Sequence, residues 1–192
     1  MKLFEDRKRL VLPYVLIIGV ALLRLESGHP FHFVPIFSCL LFFAAMRPLG
    51  EFVLPLAVLI GVDIFLTTHQ YGYPLTSDDL VTWSWYLIAL LLGAGILRNT
   101  RSLWRVVGST LLASVSFFLA SNFSVWCTWT IYPKTLSGLG ICYVAALPFF
   151  RNGLTSELIF SLLLFGLGSY ARGTVTADNR PGHERVTPAT CF

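Results

Sequence analysis

The distribution of basic residues between the apolar stretches of this chain constrains it more than any other feature. Six stretches are apolar: 10–23, 34–46, 52–68, 80–97, 103–126 and 153–171. Counted as six spans with the N-terminus inside, they place Lys2, Arg7, Lys8, Arg9, Arg47, Arg98, Arg101, Arg105, Arg172, Arg180 and Arg185 on the cytoplasmic side. Only Arg24, Lys134 and Arg151 of the 14 Lys and Arg residues remain for the outer loops. Positive loops are retained on the cytoplasmic side during insertion. The split therefore predicts an all-α membrane protein of six transmembrane helices with both termini cytoplasmic.

Composition agrees. The chain is 55% hydrophobic and 12% charged, against about 25% charged in soluble domains. A pI of 9.0 follows from basic loops beside an anionic inner leaflet and calls for no nucleic acid. The length fits one membrane domain over 1–172 with a polar cytoplasmic tail over 173–192. The opening Lys2…Arg7-Lys8-Arg9 before an apolar run mimics a signal peptide, but no small-x-small cleavage site follows, so an uncleaved first helix is expected. Cys39, Cys127, Cys142 and Cys191 show no Cys-x-x-Cys spacing, which implies neither zinc nor a disulfide framework. Cys127 and Cys142 share the outer side, and a bridge between them stays open.

A span needs roughly 20 apolar residues, so 10–23 and 34–46 are short and are expected to be tilted, partial or shielded by neighbours. Asp78 or Asp79 suits the N-terminus of the fourth helix. Ser109, Ala113, Ser116 and Ala120 share one face of the fifth and predict a close packing seam. Segment 136–150 is apolar but short, holds Gly138, Gly140 and Pro148, and as a seventh span would put Arg172, Arg180 and Arg185 outside. It is read as a re-entrant or interfacial piece within a long outer loop.

No P-loop, H-E-x-x-H or G-x-S-x-G motif occurs, so no enzyme is expected, nor a cofactor, nor an assigned metal site. Polar and aromatic side chains instead gather on the outer side: His29, His32, His69, Tyr73, Asn122, Trp126, Tyr132 and Arg151 among them. An interfacial aromatic belt accounts for many of the Trp and Tyr residues, but not for three histidines. Asp63 and Glu157 lie inside apolar helices, where a carboxylate pairs or lines a wet cavity. Arg24 and Arg151 are the available partners. A structural salt bridge and a ligand-binding role both fit, and both place a polar cavity in the outer half.

Four stretches carry a family resemblance: GHPFHFVPI, GVDIFLTTHQ, SNFSVW and YPKTLSGLGICYVAALPFFRN, within about Ser27 to Leu167. They resemble an uncharacterised group of bacterial membrane proteins similar to the substrate-binding S-components of energy-coupling-factor (ECF) transporters. That resemblance implies six helices in a bacterial inner membrane and a vitamin or transition-metal ion bound under the outer loops. The small-x-x-x-small motif with which S-components dock on their transmembrane coupling subunit is not clear here, since Gly19 and Ala21 have the wrong spacing. A solitary transporter and one energised by a coupling subunit and ATPases both stay open.

The expected function is uptake of a small, vitamin-like molecule. The expected site is His29, His32, Asp63, His69, Tyr73, Asn122, Trp126, Tyr132 and Arg151, facing outward under the loops. The alternative is a non-transporting accessory subunit of a larger membrane complex. Transition-metal uptake, resting on the outer histidines, ranks below both.

Overall fold

The computed structural model describes residues 2–26, 34–98 and 102–178, with side chains over 11–26, 34–98 and 102–167. Among these residues there are six α-helices and no strand. They are α1 (Lys2–Leu25), α2 (Ile36–Met46), α3 (Val53–Phe65), α4 (Ser77–Leu92), α5 (Leu103–Thr128) and α6 (Leu136–Asp178). A 3-10 turn, Leu49–Glu51, leads into α3, and π turns Leu66–Gln70 and Gly93–Leu97 extend α3 and α4. Three helical runs are long and apolar enough to cross a membrane: Leu49–Gln70, Ser77–Leu97 and Leu103–Thr128. The apolar part of α1, Val11–Leu25, and α2 are shorter.

Burial runs opposite to that of a soluble domain. Val15, Ile18, Leu22, Val53, Leu112 and Leu163 are more than half exposed, while Ser38, Asp63, Thr110, Ser156, Glu157 and Ser161 are buried. Apolar side chains turned outward cost nothing against lipid, and polar groups must then find partners inside the bundle.

The short second stretch has a clear physical reason. Every residue of α2 from Phe37 to Ala45 is buried, and α1, α4, α5 and α6 pack around it. A helix that is hydrophobic all round suits such a central position, so α2 is shielded rather than lipid-facing. Tyr14, Phe43 and Phe52 pack edge-on at its Met46 end, with ring centroids 5.3 and 6.5 Å apart. Close approach at Gly93 seats α4 on α2. A Cβ there would lie 2.6 Å from the Leu41 carbonyl oxygen and 2.9 Å from the Ala44 Cβ. Gly93→Ala is accordingly expected to cost about 1–3 kcal/mol through overpacking, read as a lower melting temperature in detergent. Gly95→Ala, where a Cβ would meet nothing within 4 Å, serves as the neutral control.

At the same end Arg47 pairs with Glu51, Nε to Oε2 at 2.6 Å, and stands over the Tyr14 ring at 5.1 Å. The Tyr14 hydroxyl also donates to Glu51, and Arg98 Nη2 donates to the Arg47 carbonyl at 2.8 Å. Glu51 was not singled out in the sequence. Its signal is the i, i+4 spacing from Arg47 across a helix start.

One sequence expectation is corrected and one open alternative is closed. Segment 136–150 is not set apart from 153–171: both belong to the single 43-residue helix α6, with Pro148 inside it. α6 runs antiparallel along α5. Its Tyr143 hydroxyl donates to the Leu119 carbonyl at 2.7 Å, Phe150 stacks on Phe118 at 4.4 Å, and Ser161 bonds Thr110 at 2.7 Å. At about 1.5 Å per residue the helix is roughly 64 Å long, well over the ≈ 30 Å hydrocarbon core of a membrane. Cys127 and Cys142 are free thiols, so the bridge left open between them is absent. The fourth helix starts earlier than expected, at Ser77. Asp79 accepts the Thr76 N–H at 2.8 Å in a capping box, and Asp78 accepts from Trp129 Nε1 at 3.2 Å. The α5 seam is present, with Ser109 and Ala113 buried and Ser116 accepting from Trp85 Nε1 of α4 at 2.9 Å.

Candidate functional site

α1 and α3 lie side by side with Tyr14 beside Glu51 toward one end and Arg24 beside Asp63 toward the other. The second contact joins the last turn of α1 to the last turn of α3. Arg24 Nη1 pairs with Asp63 and donates to the Tyr86 hydroxyl at 2.7 Å. Tyr86 donates in turn to Asp63 Oδ2 at 3.0 Å, and Trp83 Nε1 does so at 3.2 Å. Asp63 is 5% exposed, so this shell replaces water around its charge. Of the two partners expected for Asp63, the pair forms with Arg24, while Arg151 is exposed.

Glu157 is held differently. The residue before α2 is Pro35, which has no side-chain acceptor, and it makes no capping hydrogen bond. The first N–H groups of a helix need acceptors. Glu157 of α6 supplies them: Oε1 accepts the Phe37 N–H at 2.9 Å and Oε2 the Ser38 N–H at 2.6 Å. The Ser38 hydroxyl also donates to Glu157. Ser161 Oγ donates to Ser38 Oγ at 3.1 Å, and Thr110 continues the chain through Ser161. A carboxylate from one helix thus caps another, where the positive dipole end favours it. Neither Arg24 nor Arg151 pairs with Glu157, against the sequence expectation.

Between these two buried groups lies a cavity of about 440 Å³, within the range of small-molecule sites. α5 contributes Ser114, Phe117, Phe118, Ser121 and Asn122, a stripe at helical spacing. α6 contributes Ala146, Phe149, Phe150, Gly153, Leu154 and Glu157, again one face. Arg24, Val34, Ile36, Phe37 and Tyr86 complete the wall. Ser114 is 5% exposed, and among the described residues its hydroxyl has no hydrogen-bond partner. An orphaned buried hydroxyl facing an apolar chamber is costly, and a ligand in the chamber would satisfy it.

The expected site residues divide as follows. Asn122 lines the cavity, and Asp63 stands directly behind it through Arg24. His69, Tyr73, Trp126, Tyr132 and Arg151 are not in its wall. His69 is exposed, stacked on Phe65 at 5.3 Å and bonded through Nδ1 to the Thr68 hydroxyl at 2.8 Å. Tyr73 packs edge-on against Trp129 at 5.9 Å, and Ser77 bonds Thr128 at 2.8 Å, so the α3–α4 and α5–α6 loops do meet. Trp126 fastens its own loop, donating to the Pro133 carbonyl at 2.9 Å beneath Lys134. Tyr132 is half-buried in that loop. His29 and His32 lie outside the described residues. Among the described residues no group of three or more His, Cys, Asp or Glu is placed to hold a metal ion.

The sequence reading passed over Ser114, Phe117, Phe118, Phe149 and Phe150. A signal was present: Ala146, Phe149, Phe150, Gly153 and Glu157 repeat at i, i+3, i+4, i+7 and i+11. Dividing the stretch into 136–150 and 153–171 hides it.

An apolar exterior, membrane-length helices and an aromatic chamber with two buried carboxyl groups in and behind its wall define a helical bundle of membrane type built around a small-molecule-sized cavity. The chain belongs to DUF6580, a family of unknown function, which it matches over residues 4–178. No curated protein and no solved structure matches it.

Proposed function

We propose that this protein is an S-component-like integral protein of a bacterial inner membrane that binds a small, vitamin-like molecule for uptake. The observation that carries the reading is the cavity itself. It pairs an aromatic wall with Arg24, Glu157, Asn122 and the orphaned Ser114 hydroxyl, the mix of apolar surface and a few convergent polar groups that small-molecule sites use. In the proposed orientation six helices cross the membrane, both termini are cytoplasmic, and the cavity faces outward. The basic residues of the inner loops support that orientation. We read the site as a binding chamber rather than a catalytic centre: the carboxyl in its wall, Glu157, caps α2, and Asp63 behind the wall pairs with Arg24.

Native mass spectrometry of the detergent-purified protein tests the binding reading. Wild type is expected to carry a co-purified small molecule, and Ala146→Trp, which fills the chamber, to lack it. A protein equally empty in both forms would favour the accessory-subunit reading. Orientation is tested separately by thiol labelling in a background with Cys39, Cys127, Cys142 and Cys191 replaced. Tyr73→Cys is expected to react with an impermeant reagent from outside, and Ser102→Cys only after permeabilisation. The reverse pattern would overturn the outward-facing cavity.

A further inference from the structure

Resting on the binding reading above, we infer that the cavity takes an organic monocation: a protonated or quaternary amine carried on a flat, apolar body. The charges around the chamber lead there. Its wall holds one guanidinium, Arg24, and one carboxylate, Glu157. Behind Arg24 stands a second carboxylate, Asp63, already paired to it. Two negative groups therefore face one positive group.

Glu157 is the one without a counter-charge. Among the described residues its partners are backbone N–H groups at the start of α2, Phe37 and Ser38 with Ile36 beside them, and the Ser38 hydroxyl, none of them a cationic side chain. The α2 N-terminus offsets about half of a carboxylate's charge, and a cation in the chamber would offset the remainder, which is expensive to bury unpaired.

The rings make the same choice. Phe117, Phe118, Phe149 and Phe150 line the chamber, and Phe118 and Phe150 stack at 4.4 Å. Aromatic faces attract cations, more strongly once desolvated. An anion would meet two carboxylates against one guanidinium, and a neutral guest would leave the Glu157 charge as it was. The Ser114 hydroxyl offers a further hydrogen bond to the guest's body.

The test uses the full chain in detergent with three flat probes of similar size: N-methylquinolinium, quinoline and quinoline-2-carboxylate, at pH 8. N-methylquinolinium is expected to raise the melting temperature and to bind at least about tenfold more tightly than the other two. Glu157→Gln, which keeps an acceptor for α2, is expected to abolish that preference, and Ala146→Trp to abolish binding. Quinoline or the carboxylate binding as tightly as the cation, with Ala146→Trp still blocking it, would overturn the cation assignment while leaving the binding reading intact. No response to any probe, in a wild type that carries no co-purified molecule, would overturn both. Should Glu157→Gln fail to fold, the ranking of the three probes on wild type decides alone.

Discussion

Asp63→Asn is expected to lower the stability of the protein by about 2–4 kcal/mol. The change leaves the Arg24 guanidinium facing Tyr86 with no counter-charge. Removing one partner of a fully buried pair costs about 3–5 kcal/mol; the lower figure follows because 21% of the Arg24 side chain is exposed. Replacing both partners, Arg24→Met with Asp63→Leu, is expected to recover most of the loss, because an apolar pair needs no counter-charge. Thermal unfolding of both variants and the wild type in one detergent checks both statements. A single variant as stable as wild type would remove Asp63 from the structural core of the bundle.

Glu157→Leu is expected to cost as much or more, about 3–5 kcal/mol. It strands the Phe37 and Ser38 N–H groups together, at the start of the helix around which the other helices pack, while the Ser38 hydroxyl keeps the Glu157 carbonyl as acceptor. Glu157→Gln is expected to lose less, since its amide oxygen still accepts one N–H. The order Leu below Gln below wild type in melting temperature is the check. Equal losses for Leu and Gln would mean that charge, rather than the cap, is what α2 requires.

Much of the fold was legible because membrane insertion writes simple rules into sequence. The apolar stretches at 52–68, 80–97 and 103–126 correspond to Leu49–Gln70, Ser77–Leu97 and Leu103–Thr128, each a run long enough to satisfy its own backbone in lipid. The Ser109–Ala113 seam was legible because small residues at helical spacing have few other uses in an apolar helix. The continuity of α6 was not. Gly138, Gly140 and Pro148 argue for a break by local propensity, but packing along α5 from Tyr143 to Ser161 overrides it. Tertiary contacts commonly override propensity in this way.

The site was legible in part, for a related reason. Buried carboxylates announce themselves by their cost, so Asp63 and Glu157 stood out, and Arg24 was found as a partner for the first. The trans cap on α2 was invisible, because it depends on which helix end lies beside Glu157 in space. Aromatics and histidines near the helix ends draw attention to the loops, where Tyr73 and Trp126 fasten the chain to itself. The chamber is instead walled by phenylalanines deeper in α5 and α6. In an apolar helix a phenylalanine facing a cavity and one facing lipid look alike until the faces are known.

The most direct test of the central claim is an experimental structure of the protein purified in detergent without added ligand. The account predicts density for one compact small molecule between Phe118, Phe150 and Glu157, within reach of the Ser114 hydroxyl. Side chains collapsed into that space, or a lipid or detergent chain threading it, would contradict the proposal that this chamber is a small-molecule site.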